Sequence, residues 1–185
     1  MAGQEGLPTK GEVILEAKDI VKNYGYLQAL KGASLKIYAG EITALLGDNG
    51  AGKSTMANII CGAIPKSSGH LYVKGKEIEV QSIQQAQEMG IQVVYQDLAL
   101  APDLSVPYNI FLGRELVKNT LFGRLFKVLD TKKMIEISKE HLAGLGIGLK
   151  SMNVPVKSLS GGERQALAVA KAVTWCTSAL IMDEP

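Results

Sequence analysis

An α/β fold is predicted from three observations. The chain starts β-rich over residues 13–46; a glycine loop at 47–52 sits between an apolar run and a helical stretch; and helical and apolar segments then alternate up to an apolar run at 178–182. At 185 residues and 19.8 kDa the length suits one domain with room for a hydrophobic core. Its 46% hydrophobic and 21% charged content fits a globular chain and excludes disorder, collagen and coiled coil. A formal charge of +2 gives no electrostatic preference for nucleic acid or a membrane surface. Cys61 and Cys176 stand far apart in apolar stretches, as buried free thiols of a reducing compartment do, so a cytosolic location is expected. Residues 1–12 form a polar, Gly-rich tail without an apolar leader, and no uncharged run approaches the roughly 18 residues of a membrane span.

Each element has its own signal. Residues 13–20 read as a strand, and 34–38 and 41–46 as two more about an Ala39-Gly40 turn. Residues 53–61 have helical composition, which makes the local order strand, glycine loop, helix. Residues 70–74 and 76–80 form a hairpin bridged at Gly75, a short helix covers 82–88, and 91–95 is a buried strand. From 97 to about 174 the character changes to a helical subdomain: Met134, Ile135, Ile137, Leu142 and Leu145 share a broad face of a helix over 131–145. A loop surrounds Pro155, a helix spans 160–174, and the apolar strand 178–182 delivers Asp183 and Glu184. No internal repeat or long linker is present.

Three motifs carry chemistry. Gly47-Asp48-Asn49-Gly50-Ala51-Gly52-Lys53-Ser54 fits G-x-x-x-x-G-K-[ST] in the strand–helix context that this phosphate-cradling pattern needs. Glycines let backbone N–H groups curl around phosphate oxygens, the helix start adds its positive dipole end, Lys53 reaches the β- and γ-phosphates, and Ser54 takes a position on Mg²⁺. The plainer alternative is a Gly-rich turn capping a helix. Asp183 and Glu184 stand at the carboxyl edge of a strand, where Asp183 would hold Mg²⁺ through water and Glu184 would orient or deprotonate the attacking water; alone, they equally describe a solvated strand end. Ser160 and Glu163 have the spacing of a capping box, which leaves unexplained why Gly161 and Gly162 weaken the first turn. Glycine there keeps the helix N-terminal amides open to an anion.

Together, Gly47–Thr55, Leu159-Ser160-Gly161-Gly162-Glu163 and Asp183-Glu184 resemble the ABC (ATP-binding cassette) ATPase family over residues 13–185. The resemblance implies a P-loop NTPase of the ABC type, with an N-terminal antiparallel β part and a helical subdomain. It also implies that 47–55, including Asn49, Gly50, Ala51, Gly52 and Thr55, is Walker A; Gln96 is the Q-loop glutamine, on metal and catalysis; Ser160–Glu163 is the signature; Asp183 and Glu184 are Walker B and the catalytic glutamate; and Tyr24 stacks on adenine. A packed strand-end tyrosine is the alternative for Tyr24. ATP and Mg²⁺ are the implied ligands. Cassettes of this family pair head to tail, so Ser160–Glu163 would act in trans on a neighbour's γ-phosphate. The implied partners are a second cassette, transmembrane permease subunits and, indirectly, a sugar-binding protein, with the chain peripheral on the inner face of the membrane.

Tyr95-Gln96-Asp97-Leu98-Ala99-Leu100-Ala101-Pro102 and Asn109-Ile110-Phe111-Leu112-Gly113-Arg114-Glu115 are similar to cassettes of ribose, xylose and fructose importers. Residues 103–114 are the expected docking surface for the permease. A soluble ABC protein of ribosomes or DNA is the rival, but only 64 residues separate Gln96 from Ser160, too few for a long coiled-coil insertion, so no nucleic-acid partner is expected. A nucleotide-binding module without hydrolysis is a third reading. The family's D-loop and switch histidine have no counterpart here, since His70 and His141 lie upstream as surface or packing residues. The fold is thus expected to be C-terminally incomplete, and residues 1–185 alone to bind nucleotide weakly, turn over little ATP and dissolve poorly.

Overall fold

A computed structural model describes residues 9–94, 98–120, 123, 125–149 and 151–182. Two compact units form: one runs to Val93 and resumes at Cys176, and the other spans Val94–Trp175.

In the first unit, β1 (Val13–Tyr24) and β2 (Leu27–Tyr38) make a long antiparallel hairpin. β3 (Ser68–Val73) pairs with the other edge of β1 and β4 (Lys76–Ile78) with β3, giving the order β2-β1-β3-β4. Leu15, Ala17 and Ile20 of β1 are all buried although 17 and 20 break the two-residue period. The register slips between them, where Asp19 turns to φ 52 and its N–H donates to Ser34 Oγ at 2.9 Å, and this irregularity returns Ile20 to the core face. Helix α1 (Lys53–Ile60) buries Met56, Ile59 and Ile60, the i, i+3, i+4 stripe of an amphipathic helix. Helix α2 (Ile83–Glu88) is capped by Ser82, whose hydroxyl accepts from the Gln85 N–H. β5 (Ile91–Val94) and β6 (Ala179–Met182) form a second, two-stranded sheet. Gly90 O accepts from the N–H groups of Thr177 and Ser178, and Ser178 Oγ donates to Met89 O, so the entry to β6 is fixed beside β5.

The strand expected at 41–46 is not formed. Those residues are unpaired, with Ile42 100% and Leu46 88% exposed. Strand composition makes a strand only where a neighbour supplies the other half of the hydrogen-bond ladder, and among the described residues no strand of either sheet pairs with this segment.

The second unit has its own core of Val106, Phe111, Met134, Leu142 and Leu167. It is built by α3 (Val106–Ile110), α4 (Thr131–Gly144), a 3-10 turn at Val156–Ser158 within the expected loop, and α5 (Gly161–Trp175). Asp130 caps α4 by accepting from the Lys133 N–H. Met134 and Leu142 are fully buried, whereas Leu145, expected on the same face, is 41% exposed because the helix ends before it. Asn109, fully buried, accepts from Ala101 N–H at 2.7 Å and donates to the carbonyls of Ala101, Leu104 and Ser105. One side chain thereby holds the whole bend that precedes α3. Cys61 is buried as expected; Cys176 is only half-buried.

Candidate nucleotide site

The loop that leads into α1 is shaped from within. Residues 47–50 are exposed, and a tight turn closes by the Ala51 N–H donating to Asp48 O at 3.1 Å. Gly52 is the N-cap of α1 at φ 91, and a Cβ there would come to 2.6 Å from Leu30 Cδ2 and 2.9 Å from Ala29 O. Glycine is thus required both by the left-handed backbone and by its close approach to β2. As N-cap it offers no side-chain acceptor, and the first turn of α1 holds no acid, so the positive end of the helix meets no carboxylate of its own. Lys53 bends back over the loop and donates to Gly47 O at 2.8 Å and Asp48 O at 2.9 Å. Its ammonium is held at the loop's mouth by two neutral carbonyls, which an anion could displace. Ser54 is exposed and Thr55 half-buried on the same turn.

Tyr24 ends β1 at 47% exposure, with Lys22 Nζ 5.0 Å from its ring centroid. Lys22, which also donates to Pro65 O at 2.7 Å, has no place in any sequence motif; the i, i+2 spacing that puts it on the tyrosine's face of the strand was the available signal.

At the start of α5 the capping box is complete. Glu163 N–H donates to Ser160 Oγ at 3.3 Å, and Glu163 Oε2 accepts from both Ser160 N–H and Oγ at 2.8 Å. Gly161 and Gly162 are different from Gly52: a Cβ at either would meet nothing within 4 Å, and neither has positive φ. Nothing among the described residues requires glycine at these positions. Gln96, Asp183 and Glu184 lie outside the described residues. Among the described residues no cluster of His, Cys, Asp and Glu could hold a metal, and no helix is long and apolar enough to cross a membrane.

An ATP-binding-cassette architecture is what solved structures with this fold share. The chain superposes on the ADP conformation of the cassette MJ1267 with a TM-score of 0.74 at 26% identity, covering 94% of this chain and 69% of that one. It superposes on cbiO1 of Clostridium perfringens, part of the cbiONQ ABC transporter complex, with a TM-score of 0.70 at 29% identity, covering 94% and 66%. The ABC transporter family pattern matches residues 30–185, and the chain belongs to that family. It is 48% identical to the xylose/arabinose import ATP-binding protein XylG of Sulfolobus acidocaldarius, over 93% of this chain and 66% of that protein. It is 44% identical to the fructose import ATP-binding protein FrcA of Rhizobium meliloti, over 94% and 67%. Against the ribose import ATP-binding protein RbsA of Caldanaerobacter subterraneus the figure is 41%, over 94% of this chain and 34% of that protein. The chain therefore spans about two thirds of the length of the first two relatives and one third of the last.

Proposed function

We propose that this chain is the ATP-binding and ATP-hydrolysing part of a monosaccharide importer. The observation that carries the reading is the loop at 47–52, with Lys53 folded over it on two displaceable carbonyls and an uncapped helix start behind it. The chain's similarity to the xylose/arabinose, fructose and ribose import ATP-binding proteins XylG, FrcA and RbsA supplies the transport side.

In this reading the amides of Gly47, Asn49, Gly50 and Gly52 wrap the β-phosphate, that of Ala51 joins them by leaving Asp48 O, and Lys53 exchanges Gly47 O and Asp48 O for β- and γ-phosphate oxygens. Thr55 adds a hydroxyl next to it, and Tyr24 carries the adenine on its exposed face. Ser54, Gln96 and Asp183 make an all-oxygen donor set, the chemistry that suits Mg²⁺, and Ser54 is exposed on the turn where such an ion would be held. Bound there, Mg²⁺ would neutralise charge on the phosphate oxygens. Glu184 orients the attacking water and accepts its proton, and Gln96 assists in catalysis. Ser160, Gly161, Gly162 and Glu163 act on nucleotide held by a second cassette; with no Cβ at 161 and 162, a phosphate can come close to the helix amides.

Residues 94–175, the helical unit, would carry the motion of ATP binding and release to transmembrane permease subunits, with 103–114 as the docking surface. A sugar-binding protein outside the membrane would choose the substrate, and the chain would sit on the inner membrane face. Purification of the full-length protein with its membrane partners, reconstitution into vesicles, and uptake of labelled xylose, ribose and fructose tests this. ATP-dependent uptake of at least one sugar, lost with Lys53→Ala, is expected. Reconstituted protein that hydrolyses ATP but takes up none of these sugars, or that takes them up equally well with Lys53→Ala, would refute the transport reading.

A further inference from the structure

Between α3 and α4 the chain makes an excursion that neither the nucleotide loop nor the capping box uses. Its base is closed by an antiparallel bridge of Val117 to Leu129, by Lys118 N–H on Val128 O at 2.9 Å, and by Asp130 N–H on Leu116 O at 2.7 Å. It is anchored by Arg114, whose guanidinium lies 4.9 Å from the centre of the Trp175 ring. Within it Leu125 is 73% and Phe126 69% exposed, with Val128 and Val117 partly so. Lys118 and Lys127 are exposed among them, and Lys132 and Lys133 continue the basic surface into the first turn of α4.

Charge is concentrated here. Residues 114–133 hold six Lys and Arg against two Asp and Glu, while the rest of the chain holds fourteen against sixteen. The near-neutral total therefore conceals a basic segment on an acidic remainder. Aliphatic and aromatic side chains interleaved with lysines, whose stems can lie on apolar material while the ammonium reaches phosphate, match the interface of an anionic bilayer. A second copy of the chain would bring its own cations against these. Nucleic acid would pair with the lysines but has no use for exposed Leu125 and Val128.

We propose a membrane contact in which Leu125 and Phe126 enter the headgroup region of an anionic lipid surface and Lys118, Lys127, Lys132 and Lys133 lie on its phosphates. This goes beyond the transport reading and holds whether or not the chain hydrolyses ATP.

The test is co-sedimentation of the full-length protein, free of membrane partners, with vesicles of phosphatidylcholine alone and of equal parts phosphatidylcholine and phosphatidylglycerol. Binding to the mixed vesicles only is expected, weakening roughly five-fold for each of Lys118→Gln and Lys127→Gln and with added salt. Leu125→Ser with Phe126→Ser should lose roughly ten-fold or more, with basal ATP hydrolysis unchanged. Phe126→Trp adds a reporter to a chain whose single tryptophan, Trp175, packs edge-on against Phe111, and the emission of that variant should shift to the blue and be quenched by brominated mixed lipid. Equal binding to both vesicles, wild-type binding by the serine double variant, or an emission from the Phe126→Trp protein that mixed vesicles leave unshifted would overturn the proposal. So would a serine double variant that binds vesicles normally and instead loses a membrane protein in detergent. Because ATP hydrolysis is read separately, failure here is distinguishable from failure of the transport reading.

Discussion

Gly52 and Gly162 both open helices, and the physical reasons for glycine differ. Gly52→Ala must place a methyl against Leu30 and Ala29 O at φ 91, so it should cost about 1–3 kcal/mol in denaturant unfolding. Gly162→Ala meets open space in a helix and should leave stability unchanged or raise it by up to about 1 kcal/mol, while ATP turnover falls. A Gly162→Ala protein that unfolds easily would mean the glycine serves this chain's own packing. Cys176 shows how burial acts on a single thiol. Desolvation raises its pKa, against a smaller lowering by the Ser178 backbone. The native state therefore holds its proton more tightly than the unfolded state does, so this group's stabilisation is present at neutral pH and is lost as pH rises above the ordinary thiol pKa. Alkylation at pH 8 should accordingly run slower than for an unfolded control; an equal rate would contradict the burial.

Among the elements, the bend before α3 depends on one side chain. Asn109→Ala would strand the Ala101 N–H and take one of two donors from each of three carbonyls, at a cost of about 1–3 kcal/mol; Asn109→Asp, which sets a buried carboxylate against those carbonyl oxygens, should cost more. Urea titration of the three proteins reads the order directly. Asn109 was not legible as a keystone in the sequence, because its four partners are backbone groups of residues 101–105 that no side-chain pattern announces. One local signal served better: the Ser160–Glu163 spacing gives the reciprocal bonds expected of it, whereas Ser82, read as the first residue of its helix, and Asp130 are found to be the N-caps of α2 and α4. The segment 41–46 failed for the opposite reason, since its apolar run specifies a strand and says nothing of whether a neighbour pairs with it. The basic segment 114–133 was hidden because a near-neutral total averages it against an acidic remainder.

At the scale of the whole molecule, each unit has a separate core: Leu15, Ile20, Met56 and Ile59 in one, Val106, Met134, Leu142 and Leu167 in the other. Leu167→Ala, at a fully buried site, should cost about 2–5 kcal/mol and speed amide exchange in α4 and α5, while α1 amides keep wild-type protection. The loop with Lys53 belongs to the first unit and Ser160–Glu163 to the second, so the proposed nucleotide capture and the proposed action in trans fall to separate cores. Equilibrium ATP binding by the full-length protein, compared with Lys53→Ala and Gly162→Ala, tests that division most directly. The account predicts affinity weakened roughly ten- to hundred-fold by Lys53→Ala, the loss of a charge-assisted contact, and unchanged by Gly162→Ala, whose defect appears only in turnover. Lys53→Ala protein that binds ATP as tightly as wild type would contradict it.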